Sequence, residues 1–516
     1  MVIRATTRLI QVNVIVRDNH GQPVRDLKKE DFRLTDNGKP QQISIFSMDS
    51  NAMLPQADKL PANVFTNRLQ QKSAVPAGVT VILIDSLNTK ITDQQYAKQQ
   101  VIKYLSTIRP EDHVGIYALG SGLRVLHDFT TDSSALLQQL AKYKGGNILP
   151  ETPADGNSFS GDPSLQQFDN WMNGGGASGA ERDFFMVNRI QGTLHAIEFI
   201  ANHLASLPGR KNLIWVSGGF PLTLGFDSVS AFSVASREHR TFSTEVERTI
   251  HALNDGNVAI YPVDARGLVV DARFSAENRK VDLAPRLSMG PVVEHQQTMS
   301  VLADSTGGHA YYNTNDLAKA IRDAVDDSAL TYTLGYYPND DSFNGRFHKV
   351  EVKTPGRSGL NIRARKGYFD VAERPQDARL RKTELQDAVW SPLDSSSLGM
   401  VVQIGPTDVV HPNDLNVYMK IDPEGIGMTA SGDKHDGQFD ILFVQKDDRG
   451  KQFKGEENTV NFALKPETWE KISKEGFVFH QFVPRIAQAT ALRVVVRDAS
   501  SGTLGSVTVP FDQLKL

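Results

Sequence analysis

At 516 residues, with 56 basic against 60 acidic side chains and a net charge of −4, the chain exceeds what one hydrophobic core supports, so two or three domains are expected. It has no polybasic tract to neutralise phosphates or anionic lipid, which argues against nucleic acid as a partner. The lack of cysteine excludes disulfides, thiolate metal sites and thiol nucleophiles, and no apolar run approaches the roughly 18 residues of a membrane span.

The opening MVIRATTRLIQVNVIV alternates like a strand and has none of the three regions of a signal peptide, as expected if a targeting segment has been removed. Residues 8 to 48 read as paired strands, with turns at Asp18–Gly21 and Asn37–Gly38. They are too few to close a sandwich and need partners from elsewhere. From Asn51 to Gly78 the pattern lapses into a Pro, Asn and Gln-rich stretch.

Strands and helices then alternate to about residue 330, the pattern of a parallel α/β sheet. Val79 to Ile84 is a continuously apolar strand of the kind buried on both faces. Thr92 and Gln95 fit a capping box for a helix carrying Ala97, Val101, Leu105 and Ile108. HVGIYAL, LRVLHDF, NLIWVSGGF, VAIYPVD and GGHAYYN read as further strands, about six in all. Val187, Ile190, Leu194, Ile197, Ala201 and Leu204 mark a helix that stops at Pro208-Gly209. Gly145–Gly179 and Asp271–Pro291 read as long surface excursions.

Three further strands follow: TYTLGYYP, RFHKVEVKT and LNIRARKGYF. The simplest completion joins them to the opening strands in one sandwich (residues 1–50 plus 331–372), with an α/β domain (76–330) inserted. A charged linker (373–397) precedes a second all-β domain (398–516).

An open parallel sheet binds ligands beyond the carboxyl ends of its strands, which draws attention to Asp85 in VTVILIDSLNT. Residues 76 to 330 resemble a von Willebrand factor A domain. With DLKKEDFRLTDNGKPQQISIFS, LPGRKNLIWVSGGFP, YTLGYYP, RARKGYF and LRVVVRDASSGTLGSVTVP, nearly the whole chain resembles the secreted von Willebrand factor A-related proteins of acidobacteria. The resemblance implies a doubly wound, mostly parallel α/β sheet flanked by immunoglobulin-like β-sandwiches. It also implies a secreted, periplasmic or cell-surface location.

It further implies a metal-ion-dependent adhesion site of the form Asp-x-Ser-x-Ser, completed by a Thr and an Asp from two other loops. Asp85 and Thr89 match the first loop, but Leu87 stands at the middle serine. The third loop offers Ser217 in place of aspartate, and the nearest candidate threonine, Thr193, falls inside a helix. Asn88 and Asp264 could add oxygens, giving a degenerate site for weakly bound Mg²⁺, Ca²⁺ or Mn²⁺. The alternative is that Asp85, Asn88 and Thr89 hydrogen-bond their own loop and cap the following helix.

Other chemistry is incomplete. Ser217 lacks the G-x-S-x-G spacing of a hydrolase elbow, since Trp215 occupies the first glycine position. His195 and His203 lie about two turns apart on one helix, roughly 12 Å, too far to share a metal. Asp433–Asp440 reads as a hairpin tip ahead of a calcium loop, and the aromatic residues are too scattered for a sugar-stacking platform. The expectation is a non-enzymatic, adhesion-type module that binds an unknown protein through the carboxyl edge of its parallel sheet. A scaffold subunit of an envelope assembly, or a serine hydrolase using Ser217, is the alternative.

Overall fold

The computed structural model describes residues 9–50, 60–72, 78–143, 179–220, 223–224, 240–268, 290–338, 347–369, 378–406 and 409–515. Most of the two expected excursions, Gly145–Gly179 and Asp271–Pro291, lies outside these. Among the described residues no helix is long and apolar enough to cross a membrane.

The central sheet has five strands, ordered Val258–Asp264, Lys211–Ser217, Thr80–Asp85, Val114–Leu119 and Leu123–Thr130. The first four are parallel; the last returns antiparallel from its neighbour, because only Gly120–Gly122 separates the two. The sixth expected strand shrinks to a single parallel bridge, Val263 to Tyr311. The segment enters against Gly308, where a Cβ would lie 1.8 Å from the Ile260 carbonyl oxygen, so only glycine fits.

Strand alternation decides which side chains meet. Val81 and Leu83 of the central strand join Leu213 and Trp215 in one core with helices Gly179–Leu204, Ser243–Asp255 and Gly290–Thr306. Ile82, Ile84, Ile214 and Val216 face the opposite core, under helices Ile91–Leu105, Ser133–Lys142 and Leu317–Asp326. Burial on both faces explains the unbroken apolar runs. The expected capping position moves, because Thr92 lies inside the helix. The helix starts at Ile91 and is preceded by Lys90, which makes no side-chain cap bond.

Strands from either side of this unit share two four-stranded sheets. Ile10–Arg17 lies between Leu330–Tyr336 and Asn361–Ala364, and Ile45–Ser50 adds to Leu330–Tyr336. The second sheet runs Gly367–Phe369, Phe347–Lys353, Arg33–Asp36, Lys39–Gln41. Its hairpin turns at Asn37-Gly38, with positive φ at both residues. Asp327, at the end of the α/β unit, accepts from Arg17 (2.9 Å) and Arg363 of the first sheet, tying that sheet to the last helix.

The C-terminal strands also form two sheets, one of them ordered Phe477–Pro484, Asp414–Ile421, Met400–Ile404, Val64–Thr66. Its last member comes from the stretch that carries no strand pattern in the sequence. Three residues are too few to show a period, and Asn67 anchors them through its amide to Met400 N, Ser395 O and Leu398 O. Within the charged linker, Ala378–Trp390 is a helix that packs Leu385, Ala388 and Val389 on Val444 and Val495. The Asp433–Asp440 segment is mostly strand: only Gly432 and Asp433 form the tip, and Asp440 is buried against Thr459 and Arg381. Its carboxylates do not converge as calcium ligands would.

Lys211 begins the central-sheet strand Lys211–Ser217, fully buried, with Nζ donating to the Leu207 carbonyl oxygen at 2.7 Å. Burial pushes its ammonium down to about 7 from 10.5. Between those values the unfolded chain binds a proton that the folded chain does not, so this residue makes stability rise with pH across that window. Lys211→Met is expected to raise the denaturation midpoint at neutral pH and to flatten its rise toward the alkaline end, read from chemical unfolding at both ends of the window.

Candidate functional site

The strand order places a topological switch between Thr80–Asp85 and Lys211–Ser217, where the crevice of an open α/β sheet opens. Asp85 and Ser217 end these two strands. The pairing of Leu83 with Trp215 and Ile84 with Val216 sets Asp85 opposite Ser217, and alternation turns Asp85, Trp215 and Ser217 to the same face.

All of Asp85 is spoken for. Its Oδ1 accepts from the backbone N–H groups of Leu87 and Asn88, each at 3.0 Å. Its Oδ2 accepts from Asn88 Nδ2 (2.8 Å), Trp215 Nε1 (3.0 Å) and Ser217 Oγ (2.7 Å). Asp85 is 1 % exposed, so five donors stand in for the lost hydration of a buried charge.

A second layer holds the donors. Ser217 Oγ accepts from Gly219 N (2.9 Å) and Thr89 Oγ1 accepts from Gly218 N (3.0 Å), joining the two edge loops. Asn88 Nδ2 also donates to Thr193 Oγ1 (2.6 Å), whose own hydroxyl donates to the Arg189 carbonyl oxygen (2.8 Å). A Cβ on Gly218 would lie 2.5 Å from the Asn88 carbonyl oxygen, so glycine is what lets the loops approach. Gln94 Nε2 donates to the carbonyls of Ser86 and Thr89, fixing the loop to the helix that follows.

Four of the five expected ligands, Asp85, Asn88, Thr89 and Ser217, therefore meet, and Thr193 joins them from the long helix. Asp264 sits beside Ser217 in register, but its carboxylate is held by Arg266 through Nε (2.9 Å) and Nη2 (2.8 Å) and lies outside this network. Leu87, where the resemblance calls for a hydroxyl, is 5 % exposed and packs into the core beside Gly192. Trp215 is the participant that motif reasoning misses. Its signal is spacing alone, two residues before Ser217 on a strand.

This arrangement does not fit Mg²⁺. The ion needs oxygens with free lone pairs in octahedral array, yet Asp85 Oδ2 already accepts three hydrogen bonds and the Ser217 hydroxyl points its proton at that oxygen. Asn88 Oδ1 is the one buried oxygen of the cluster with no hydrogen-bond partner among the described residues. Nor is Ser217 poised as a nucleophile: its proton goes to a saturated carboxylate, and the His295 imidazole meets the Gly218 carbonyl oxygen at 3.2 Å instead. The other polar helix residues go separate ways, His195 toward Asp387 (4.0 Å), Glu198 to Arg248 and Thr249, and His203 to the Asp394 carbonyl oxygen.

No family model and no curated protein matches the chain. Solved structures to which it is similar include von Willebrand factor A proteins at low identity. The von Willebrand domain of the type V pili tip protein Mfa5 from Porphyromonas gingivalis is 11 % identical, covering 48 % of this chain and 93 % of that one at a TM-score of 0.26. A von Willebrand factor type A protein from Catenulispora acidiphila is 11 % identical, covering 68 % and 81 % at 0.26. The protein BatB from Bacteroides thetaiotaomicron is 12 % identical, covering 49 % and 98 % at 0.24. Likeness at this level assigns no residue and no activity.

Asp85→Asn replaces one carboxylate oxygen, Oδ2 with three donors or Oδ1 with two, by an amide that must itself donate, and is expected to lower stability by about 3 kcal/mol. Gly218→Ala should cost about 1–3 kcal/mol through the steric contact with the Asn88 carbonyl. Urea unfolding of both variants checks these values.

Proposed function

We propose that this chain is a non-enzymatic protein-binding module of the cell envelope or secreted fraction, and that it contacts its partner through the carboxyl edge of the parallel sheet without a bridging metal. The observation that carries this reading is the saturation of Asp85. At the position where the sheet topology favours a ligand, the carboxylate is spent on holding the two flanking loops together, which makes it a buttress for a contact surface.

Two further features support the reading. The hydroxyl of Ser217 is a donor to that buttress, so the edge holds no activated nucleophile among the described residues. Exposed apolar side chains stand where the chain leaves the same edge: Leu268 (55 % exposed), just past Asp264, and Tyr312 (42 %), just past the Tyr311 bridge. Tyrosine is enriched at protein interfaces and among their hot spots, and an exposed leucine at the same edge adds apolar area. They lie outside the Asp85 network, so replacing them alters the surface and leaves the buttress intact.

Titration calorimetry with Mg²⁺, Mn²⁺ and Ca²⁺ on the native chain is expected to give no binding heat; heat that disappears in Asp85→Ala would restore the metal-dependent version. Cross-linked capture from envelope extract should persist in chelator and be lost in Leu268→Glu/Tyr312→Glu. Hydrolysis of a small ester or amide that vanishes in Ser217→Ala would replace the whole reading with an enzymatic one.

A further inference from the structure

The C-terminal sheet ends on one side at Phe477–Pro484, whose only strand partner among the described residues is Asp414–Ile421. The N–H of Arg485 bonds the Asn413 carbonyl (3.1 Å), which makes that opposed pair a hydrogen-bonded one. By alternation the odd-numbered residues of Phe477–Pro484 spend their backbone groups on the neighbouring strand. Gly405 N bonds the Asn416 carbonyl (2.8 Å), and this fixes the same parity one strand further in. The N–H and C=O groups of Val478, His480 and Phe482 therefore point out of the sheet, and among the described residues only the Phe482 carbonyl is reached by a side chain, Gln481 Nε2 at 3.2 Å.

Edges of this kind are usually covered or charged, and the molecule does both elsewhere. The Leu504–Pro510 edge is covered by Leu398 N to the Leu504 carbonyl and by Ser506 N to the Ser395 carbonyl, both 2.9 Å. The edge Leu123–Thr130 of the central sheet carries Arg124 and Asp128. The segment FVFHQFVP has no charged residue, and Val478 is 69 % exposed.

We infer that this edge pairs with the same edge of a second copy of the chain, antiparallel and centred on His480, to make one continuous eight-stranded sheet. In that register His480 opposes its symmetry mate and Val478 opposes Phe482 on either side, so that the three outward N–H groups of each copy find carbonyls on the other. The pairing stops where the strand stops offering groups. Pro484 has no N–H, and its carbonyl is already taken by Gln445 Nε2 at 2.7 Å.

Charge at the two ends fits the same register. Glu475, the last residue of helix Pro466–Glu475, precedes the strand, and Arg485 follows it. Antiparallel pairing about His480 brings the acidic end of one strand alongside the basic end of the other, twice per dimer, whereas parallel pairing would set like charges together. The outer face is continuous across the seam. The rings of Tyr418 and His480 lie 4.5 Å apart, His480 and Phe482 4.7 Å, and Phe482 and His411 4.3 Å. The dimer doubles this row.

Sedimentation of the native chain at high micromolar concentration tests this inference, with a species of twice the 56.9 kDa chain mass expected. In hydrogen exchange, the amides of Val478, His480 and Phe482 should slow as concentration rises. Val478→Lys sets a lysine at the seam on a side chain the monomer leaves exposed. It should return the protein to monomer and restore fast exchange at the other two amides, with an unfolding midpoint equal to that of the native chain when both are read at concentrations too dilute for the dimer. Glu475→Lys should reduce the dimer fraction, and the double variant Glu475→Lys/Arg485→Glu should recover it. A native chain that stays monomeric, or a dimer that survives Val478→Lys, overturns the inference. Neither result bears on the carboxyl edge of the α/β sheet.

Discussion

Burying the carboxylate of Asp85 at the end of the first central strand is the constraint around which the α/β edge is organised. A charge removed from water needs a full complement of donors, and no single element supplies them. Two come from the turn that follows, one from Asn88 and two from the adjacent strand, so the carboxylate can be satisfied only when both strands, the turn and the register between them are in place. The same bonds align Gly218 and Gly219 against the turn through Thr89 and Ser217. Local chain geometry and tertiary pairing are thus fastened at one point, and the loop edge becomes a shaped surface.

The other positions of the partial metal-binding pattern are engaged as well. Leu87 spends its position on core packing, so no hydroxyl is offered there. Asp264 is drawn away by Arg266, two residues on in the chain. What remains is a hydrogen-bonded node whose donors are N–H groups and a hydroxyl proton, the complement of an anion. A cation would have to displace them.

The flanking β units are joined to this core by polar contacts of long sequence separation. Asp327 takes two arginines from strands more than thirty residues away on one side and about three hundred on the other. Arg493, buried, reaches the carbonyls of Ala388 and Leu393 and the carboxylate of Asp394, pinning the linker helix onto the C-terminal sheet. Burial weakens the hold of Arg493 on its proton, and the Asp394 carboxylate opposes that effect. Truncating either partner of such a pair leaves a charge without compensation, so these contacts specify how the units sit together more than they add net stability.

By itself the sequence determined the elements whose signal is local. The apolar runs inside Thr80–Asp85 and Lys211–Ser217, the three-and-four spacing of the helix ending at Leu204 and the Asn37-Gly38 turn all follow from burial and backbone preference within a short window. It also singled out Asp85, Asn88, Thr89 and Ser217, because their place at strand ends is a consequence of chain order. Only the tertiary structure decided what those residues do. Trp215 and Thr193 reach Asp85 and Asn88 across register and helix packing, and Asp264 turns to Arg266. Three residues at Val64–Thr66 become a strand only because Met400–Ile404 is there to pair with them. Hydrogen bonds act over about 3 Å, and which groups come that close depends on contacts between residues hundreds of positions apart, which no periodicity in the chain records.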